Sequence, residues 1–471
     1  MTDVPTASAA TQPFTRSMRT TGVLFLTLSA VTPASSVFVI IPGIIQQAGS
    51  GAFLAMSVAA LVALAMAFVY AELASAWPLA GGEYAMMGRA LNPLIGFAFM
   101  GMYLIGATLP QAILALGAST YLADIWPGAP SVPIAVGIMI LATGSGILNI
   151  RLNAWVTGLF LAVEVLALIV LAWLGFTHAH RGLAELITHP VMLNGGALTP
   201  TPIGTIGLAT AVGIFSYNGF GSAVYFGEEM HEAPRLMART ILLALGLTVL
   251  FEFLPLAAVL IGAPNLTSLL ASQGPFSDFV RDVGGRGVGI AVGLGVALSI
   301  VNAVIATMLL NARLFFSSGR DQFWHERLNG ALTRVHPRLD SPWVATVLAG
   351  AAGVAACFVP FNLLLVLTGA SIVVMYALLC LAVLVGRATG RTAHAAYRMP
   401  FYPVAPVLAP IALVYVLYAN WIDLAVGRPS LIATAIMLAA AALYYGAMRR
   451  RRGPSWVMID PLEAAPGERK T

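Results

Sequence analysis

The sequence predicts an all-α integral membrane protein with twelve transmembrane helices, and three observations support this fold class. Of the 471 residues, 59% are hydrophobic and 9% are charged, whereas soluble domains carry about 25% charged residues. The apolar residues fall into twelve runs, most of them close to the roughly 20 residues with which a helix crosses a bilayer. The first and sixth runs are interrupted near their middle by polar residues, proline or glycine.

The twelve runs can be laid out in order as membrane spans. The first is too long for the apolar part of a cleavable signal peptide, so it is interpreted as a true span. The ninth is short. The predicted spans are residues 22–46, 52–77, 94–122, 132–149, 154–176, 203–227, 236–261, 288–316, 343–358, 362–385, 404–423 and 431–448.

The distribution of arginine orients these spans. Cytoplasmic loops carry an excess of Lys and Arg. With the N-terminus inside, the cytoplasmic joints hold most of the loop arginines, and the basic run 449–452 also falls inside. The outside joints hold only Arg181, Arg281, Arg286 and Arg428. We therefore expect a multi-pass protein of the inner (plasma) membrane with both termini cytoplasmic.

Charge and cysteine content exclude several classes of protein. The net charge is +5, but the basic residues are dispersed and no basic-aromatic surface can be traced, so nucleic acid binding is not expected. Cys357 and Cys380 are too few for a disulfide framework or a zinc site. The seven histidines lie mostly in loops, so we expect no metal, no cofactor and no enzyme activity. The chain contains no GxxxxGK[ST] motif, so ATP-driven pumping is not expected.

The interruptions of spans one and six are the main functional signal. Span one contains VTPASSVFVIIPG at residues 31–43, and span six contains GIFSYNGFGSAVYFGEE at residues 213–229. Proline removes a backbone donor, and unsatisfied backbone in a membrane is tolerated where it lines a cavity or is buried in protein. Paired interruptions at corresponding positions indicate a transporter binding site. The alternative is an ordinary proline kink and glycines that allow close helix packing.

Four segments carry a family resemblance. They are residues 71–97 (AELASAWPLAGGEYAMMGRALNPLIGF), 215–241 (FSYNGFGSAVYFGEEMHEAPRLMARTI), 311–345 (NARLFFSSGRDQFWHERLNGALTRVHPRLDSPWVA) and 397–410 (YRMPFYPVAPVLAP). In sequence and order they resemble the loop after span two, span six, the end of span eight and the start of span eleven in the amino acid–polyamine–organocation (APC) permease superfamily.

The resemblance implies a fold of two inverted five-helix repeats with broken helices one and six, as in the sodium-coupled leucine transporter, plus two extra helices. It divides the chain into a cytoplasmic tail (1–20), a first repeat (21–177), an extracellular loop (178–202), a second repeat (203–385), spans eleven and twelve (386–450) and a cytoplasmic tail (451–471). It also implies that substrate binds at mid-membrane between the two breaks, with spans three, eight and ten completing the pocket.

Candidate substrate-binding residues follow from this placement. In span one they are Pro33, Ala34, Ser35 and Ser36, in span six Ser216, Tyr217, Asn218 and Gly219, and in spans three and eight Gln111 and Asn302. Many amino acid permeases of the superfamily hold the substrate carboxylate on the amides of a glycine-rich break. Here the break contains no glycine and Pro33 has no amide, which leaves both amino acids and polyamines open as substrates.

Two residues are candidates for ion or proton coupling. Ionisable residues inside a membrane are functional candidates by default, and Glu164 lies in the middle of span five. Proton-coupled superfamily members use a lysine in span five, but the only lysine here is Lys470. Ser299 in span eight is a candidate sodium ligand. A structural hydrogen bond is the alternative role for Glu164.

Charged residues at the predicted cytoplasmic ends of spans are candidates for gating. They are Glu72, Glu83, Glu228, Arg235 and Arg320. We expect ion pairs that hold the loops or close the inner vestibule, and a solvated charged surface is the alternative.

The sequence therefore predicts a secondary active transporter of amino acids or related small amines. We expect the substrate to cross the bilayer by alternating access. Proton coupling or exchange is favoured over sodium coupling. The expected partners are the small-molecule substrate, a proton or sodium ion, and lipid. A polyamine or organic amine permease is the first alternative, and a membrane channel or solute sensor is an alternative of another class.

Overall fold

The computed structural model describes residues 14–458 except 124–127, 129, 149, 423, 425–426, 454–455 and 457. Over this part of the chain, nine stretches are long and apolar enough to cross a membrane, and two shorter apolar helices, Ser131–Ile147 and Trp343–Ala356, lie where spans four and nine are predicted. Each predicted span contains helix, so the all-helical membrane architecture is confirmed. The number of crossings and the repeat relationship stay predictions. Most of both predicted tails lies outside the described residues.

The first five spans are built from continuous and interrupted helices. Span one consists of Thr20–Val31, Pro33–Ser35, the π-helical Ser36–Ile40 and Ile41–Ala48, and a 3-10 turn, Gly49–Gly51, links it to span two. The following elements are Ala52–Ala76 (span two), the short helix Glu83–Ala90, Pro93–Gly106 and Leu109–Ala123 (span three), Ser131–Ile147 (span four) and Ile150–Thr177 (span five).

The later spans follow a short extramembrane region. Span six consists of Ile203–Ser216 and a 3-10 helix, Phe220–Glu229. The remaining helices are Ala233–Gly262 (span seven), Leu266–Ala271, Pro275–Arg320 (which contains span eight), Glu326–Leu332, Trp343–Ala356 (span nine), Phe361–Ala388 (span ten), Val404–Ile422 (span eleven) and Gly427–Arg452 (span twelve). Gly285 has φ of 82° and separates the first turns of Pro275–Arg320 from span eight.

The loop between spans five and six contains a feature that hydropathy does not indicate. After the helix Leu183–Thr188, strands Val191–Asn194 and Ala197–Pro200 form an antiparallel hairpin. Gly195 and Gly196 both have positive φ, which is the backbone that a tight two-residue hairpin turn needs. The hairpin is fastened to the end of span one, since the Ser50 hydroxyl accepts from the Val191 amide at 2.8 Å.

The outside of the helix bundle is apolar. Trp155, Leu141 and Leu443 expose 78%, 70% and 76% of their surface, and they lie on spans five, four and twelve. A monomeric soluble protein rarely exposes contiguous apolar patches of such extent. These side chains therefore face lipid, and the chain is a multi-pass membrane protein. Spans one, two, six and eight supply much of the buried interior.

Candidate functional site

The helix of span one is interrupted where the sequence predicts it. Thr32 ends the first helix in the left-handed conformation, with φ of 49° and ψ of 72°, and its amide donates to the Leu28 carbonyl oxygen. Pro33 then begins a new helical turn, where its missing amide leaves no partner unsatisfied. The chain therefore presents a helix N-terminus inside the bundle, and such an end favours a negative group.

The carboxylate of Glu164 in span five fills this position. Its Oε1 accepts a hydrogen bond from the Ala34 amide at 2.7 Å and one from the Thr32 hydroxyl at 3.4 Å. Glu164 is fully buried and its Oε2 has no hydrogen-bond partner within the described part of the chain. One of the amides predicted for substrate binding is thus taken by a side chain of the protein.

Span six is interrupted at residues 217–219. The helix ends at Ser216, and Gly219 adopts φ of 116° before the 3-10 helix begins. A Cβ at Gly219 would lie 3.0 Å from Val31, so the two breaks are in contact. The Ser36 hydroxyl donates to the Ser216 carbonyl oxygen at 3.3 Å, and this bond joins the breaks directly.

A cavity of about 140 Å³ lies beside the two breaks. Its walls come from spans one, two, three, six, eight and ten and from the start of the helix after span two. The lining residues are Ala30, Tyr70, Glu83, Tyr103, Gly106, Ala107, Pro110, Asn218, Gly219, Gly221, Ser222, Tyr225, Thr307, Leu310, Asn311, Thr368, Ser371, Ile372 and Met375.

Glu83 is the one charged side chain among the described residues that line this cavity. The Tyr70 hydroxyl donates to its Oε1 at 3.1 Å, and the Tyr225 hydroxyl donates to its Oε2. Burial raises the pKa of the Glu83 carboxyl above its usual range, while the hydrogen bonds from Tyr225 and Tyr70 act in the opposite direction. The Tyr103 ring also lines the cavity. Carboxylate and aromatic rings together form a site suited to a cation.

Other polar atoms of the cavity are placed for hydrogen bonding. The Ser222 hydroxyl is buried and has no partner among the described residues. Asn218 accepts a hydrogen bond from Tyr376 at 2.7 Å, which leaves its amide nitrogen as a potential donor. Asn311 donates to the Ala107 carbonyl oxygen at 2.8 Å and to Gln111 at 3.1 Å. The cavity thus offers hydroxyls and amides around a single acid.

The predicted substrate-binding residues are distributed over two places. Asn218 and Gly219 line the cavity. Pro33, Ala34, Ser35, Ser36, Ser216 and Tyr217 are buried in the breaks but do not line it. Gln111 donates to the Ala349 carbonyl oxygen, and Asn302 donates to Ser29 and to the Thr157 carbonyl oxygen.

Ser299, the candidate sodium ligand, is buried in span eight. Its hydroxyl donates to the Val296 carbonyl oxygen of the same helix at 2.8 Å. This is a common arrangement for serine in membrane helices, and it directs the hydroxyl hydrogen along span eight rather than toward the break in span one. No group of three or more His, Cys, Asp or Glu that could hold a metal occurs among the described residues.

The predicted gating residues are placed as follows. Glu72 forms two hydrogen bonds of 2.6 Å with Arg387 and accepts from the Met399 amide, which fastens span two to the region after span ten. Glu228 pairs with Arg320 at 2.8 Å and accepts from the Ala80 amide. Within the described part of the chain, the one ion pair of Arg235 is with the exposed Glu232, at 4.0 Å. Glu83, in contrast, lies in the cavity wall.

Sequence reasoning did not identify Tyr70, Tyr225 and Asn311 as cavity residues. Tyr225 lies in the segment 215–241 and Asn311 begins the segment 311–345, so both belong to the segments that carry the family resemblance. Tyr70 lies about two helical turns before the end of span two, and nothing in its local sequence distinguishes it from a packed aromatic residue.

Comparison with known proteins identifies the family. The amino acid permease family matches the chain over residues 19–444. An uncharacterized transporter of Mycobacterium tuberculosis is 29% identical over 64% of this chain and 65% of its own length. The methylthioribose transporter of Bacillus subtilis is 25% identical over 81% of this chain and 83% of its own length. The branched-chain amino acid permease BcaP of the same bacterium is 23% identical, over 80% and 82%.

These relatives are named as transporters and not as enzymes. The match with the mycobacterial protein spans only 65% of that protein's length. The family match, in contrast, includes both breaks, the cavity and all spans up to most of the twelfth. The protein therefore belongs to the amino acid permease family.

Proposed function

We propose that this protein is a secondary active transporter of a small amine-bearing solute, an amino acid or a related organic amine, and that its substrate binds in the cavity beside the two breaks. The observation that carries the proposal is the position of Glu83. Among the described residues no base pairs with this buried carboxylate, and tyrosines surround it. Such a group attracts a cation from water more strongly than an exposed carboxylate does.

The relatives do not select the substrate. A methylthioribose transporter and a branched-chain amino acid permease are similar to this chain at 25% and 23% identity. The cavity favours the amine end of a substrate, because its described lining residues include an acid but no base. A substrate carboxylate would depend on hydroxyls and amides, and the Ala34 amide is already bonded to Glu164. An organic amine or polyamine is therefore the second candidate.

Alternating access accounts for the pair of breaks. A site between discontinuous helices at mid-membrane becomes open to either side when one helical bundle rocks against the other. We further propose proton coupling or exchange, with Glu164 in the coupling machinery, and a plasma-membrane location with both termini cytoplasmic. The absence of a lysine from span five makes Glu164 the ionisable residue of that span.

The direct test is uptake by proteoliposomes. Labelled amino acids, polyamines and methylthioribose are offered with and without a pH or sodium gradient. We expect saturable uptake of an amine that is stimulated by unlabelled amine inside the vesicles. Folded protein that takes up no amine would overturn the proposal, and saturable uptake of methylthioribose alone would assign a neutral substrate.

Glu83→Gln tests the assigned site. Glutamine keeps an oxygen for the tyrosine hydroxyls but removes the charge, so KM for the amine should rise roughly 10- to 100-fold, the value of one charge-assisted hydrogen bond. Substrate affinity of the unmodified protein should also fall as the pH drops through the Glu83 pKa. The control is Glu185→Gln, a carboxyl of the exposed helix Leu183–Thr188. Equal KM values for Glu83→Gln and the control would contradict the assignment.

A further inference from the structure

Two buried carboxyl groups lie outside the cavity wall and contact the breaks. Glu164 belongs to span five and Glu252 to span seven, and both are completely buried. Glu164 Oε1 accepts from the Ala34 amide and the Thr32 hydroxyl in the break of span one. Glu252 Oε2 accepts from the Ser216 hydroxyl at 2.6 Å, at the point where span six is interrupted. Each break is therefore held by one carboxyl group.

The two carboxyl groups are connected through the breaks. The Ser36 hydroxyl donates to the carbonyl oxygen of Ser216, the residue whose side chain donates to Glu252. Glu164 bonds two residues earlier in the same short segment, at Ala34. Three hydrogen bonds and the short segment 34–36 thus link span five to span seven through both breaks, and Glu164 lies within electrostatic range of Glu252.

Like Glu83 in the cavity wall, these two carboxyl groups have no balancing cation among the described residues. Glu72, Glu228 and Glu229 each form an ion pair with an arginine. Glu164 and Glu252 are in no ion pair among the described residues, and each has one carboxylate oxygen, Oε2 and Oε1 respectively, that is buried without a partner. Among the described residues, the titratable groups that interact with Glu252 are Glu164 and Tyr217, and neither supplies a positive charge. An uncompensated pair of buried negative charges is strongly unfavourable.

We propose that Glu164 and Glu252 form one proton-binding pair, that Glu252 shares in carrying the coupling proton, and that occupancy of the pair sets the geometry of both breaks. This proposal rests on the proposed transport function. In the binding step a hydronium ion gives one proton to a free carboxylate oxygen of the pair, one O–H bond forms, water is released, and the pair becomes less negative by one charge. Release to the opposite side reverses the step, and no other reactant is consumed.

A proton fits this site better than a metal cation. A hard metal ion needs several oxygen ligands directed at one point, whereas a proton needs one carboxylate oxygen. The bonded oxygen of each carboxylate is directed at a backbone amide or a hydroxyl of the breaks.

Protonation can reach the breaks through the bonds just described. A hydrogen bond to a carboxylate is about twice as strong as a bond to a neutral acceptor. When the pair gains a proton, the bonds to Ala34 and Ser216 weaken or rearrange, and the equilibrium between conformations of the broken segments shifts. A proton and a substrate that bias the same two-state equilibrium are coupled by necessity.

The first test needs no substrate. Infrared titration of the purified full-length protein in detergent follows the C=O stretching band of protonated carboxyl groups. We expect Glu164→Gln and Glu252→Gln each to remove a component of this band. In each variant the titration midpoint of the remaining carboxyl group should also move by at least a factor of ten in proton concentration. Spectra of both variants that match those of Glu185→Gln would overturn the proposal. Size-exclusion profiles establish that the variant proteins are folded. Glu164→Asp and Glu252→Asp serve as conservative variants that keep a carboxyl group at each position.

The second test uses transport and separates this proposal from the function on which it rests. Proteoliposomes carrying labelled leucine or labelled putrescine are assayed for gradient-driven accumulation and for counterflow without a gradient. We expect Glu252→Gln to lower pH-gradient-driven accumulation at least tenfold while counterflow persists. Absence of both activities in the unmodified protein would refute the transport function. Transport that does not respond to a pH gradient, or that is driven by a sodium gradient, would refute the proposed proton pair but not the transport function.

Discussion

At the residue scale, a buried ion pair closes the end of the bundle where span six ends. Arg313 in span eight donates from Nε and Nη2 to the two carboxylate oxygens of Glu229, at 2.7 and 3.0 Å. Both side chains are 3% exposed or less, and the guanidinium also lies 4.8 Å from the centre of the Phe226 ring. Glu229 is close to Arg235 in sequence, but the Arg235 side chain is exposed and Glu229 turns inward to Arg313.

Replacing Arg313 by methionine should therefore destabilise the protein by about 3–5 kcal/mol, because Glu229 is left charged and buried. Reversible unfolding in mixed detergent micelles measures the change. The double variant Arg313→Met with Glu229→Gln should recover much of the loss, since no lone charge remains. A single variant as stable as the double variant would contradict this account of the pair.

At the element scale, the break in span six depends on a glycine that no other residue type can replace without strain. Gly219 has φ of 116°, and a side-chain Cβ placed on it would approach Val31 to 3.0 Å. Backbone of this kind is tolerated for glycine and unfavourable for residues that carry a side chain. The contact with Val31 also means that strain here is transmitted to span one.

Gly219→Ala should cost about 1–3 kcal/mol of stability and should lower the transport rate more than Gly204→Ala in the same span. Thermal unfolding and initial rates of counterflow measure the two effects. Gly204→Ala is a matched control in the same span, since its Cβ meets no atom within 4 Å and its φ is ordinary. Equal effects of both substitutions would show that the break tolerates a side chain.

Sequence was sufficient to locate the elements but not their partners. Hydropathy indicated the spans because each must satisfy its own backbone in lipid, and proline and glycine indicated both breaks because they disrupt helix locally. The position of Glu83 in the cavity wall and the alignment of Glu252 with Ser216 arise from helix packing between residues that are distant in sequence. The hairpin at Gly195 and Gly196 was recognisable in principle. Its glycine pair is a weak sequence signal, however, and hydropathy does not indicate a short turn outside the membrane.

At the scale of the whole molecule, residues 14–19 fasten the start of the chain to the end of span six. The amides of Ser17 and Met18 both donate to the Glu229 carbonyl oxygen at 2.9 Å. The Phe14 ring packs against Phe316, with 4.6 Å between the ring centres, beside the buried ion pair. The segment thus covers the same end of the bundle that the pair of Arg313 and Glu229 closes, and it holds spans one, six and eight together there.

Phe14→Ala should loosen this end of the molecule and make the cavity more accessible to water. Ser222→Cys provides the probe, in a chain whose two buried cysteines are replaced by alanine, because Ser222 lines the cavity. We expect a water-soluble maleimide to label this cysteine several-fold faster with Phe14→Ala. Phe176→Ala, which removes an exposed ring, serves as the control, and equal labelling rates would show that the segment does not restrict access.

The attachment of residues 14–19 also bears on how temperature acts on the transport cycle. Opening at this end would separate an ion pair and two backbone hydrogen bonds that converge on one residue, Glu229, and with them the packed rings of Phe14 and Phe316. Contacts that converge on one residue break together, so the step has a high activation enthalpy. The turnover of the carrier would therefore slow steeply on cooling, far more than the diffusion of its substrate, and the closed arrangement would dominate in the cold.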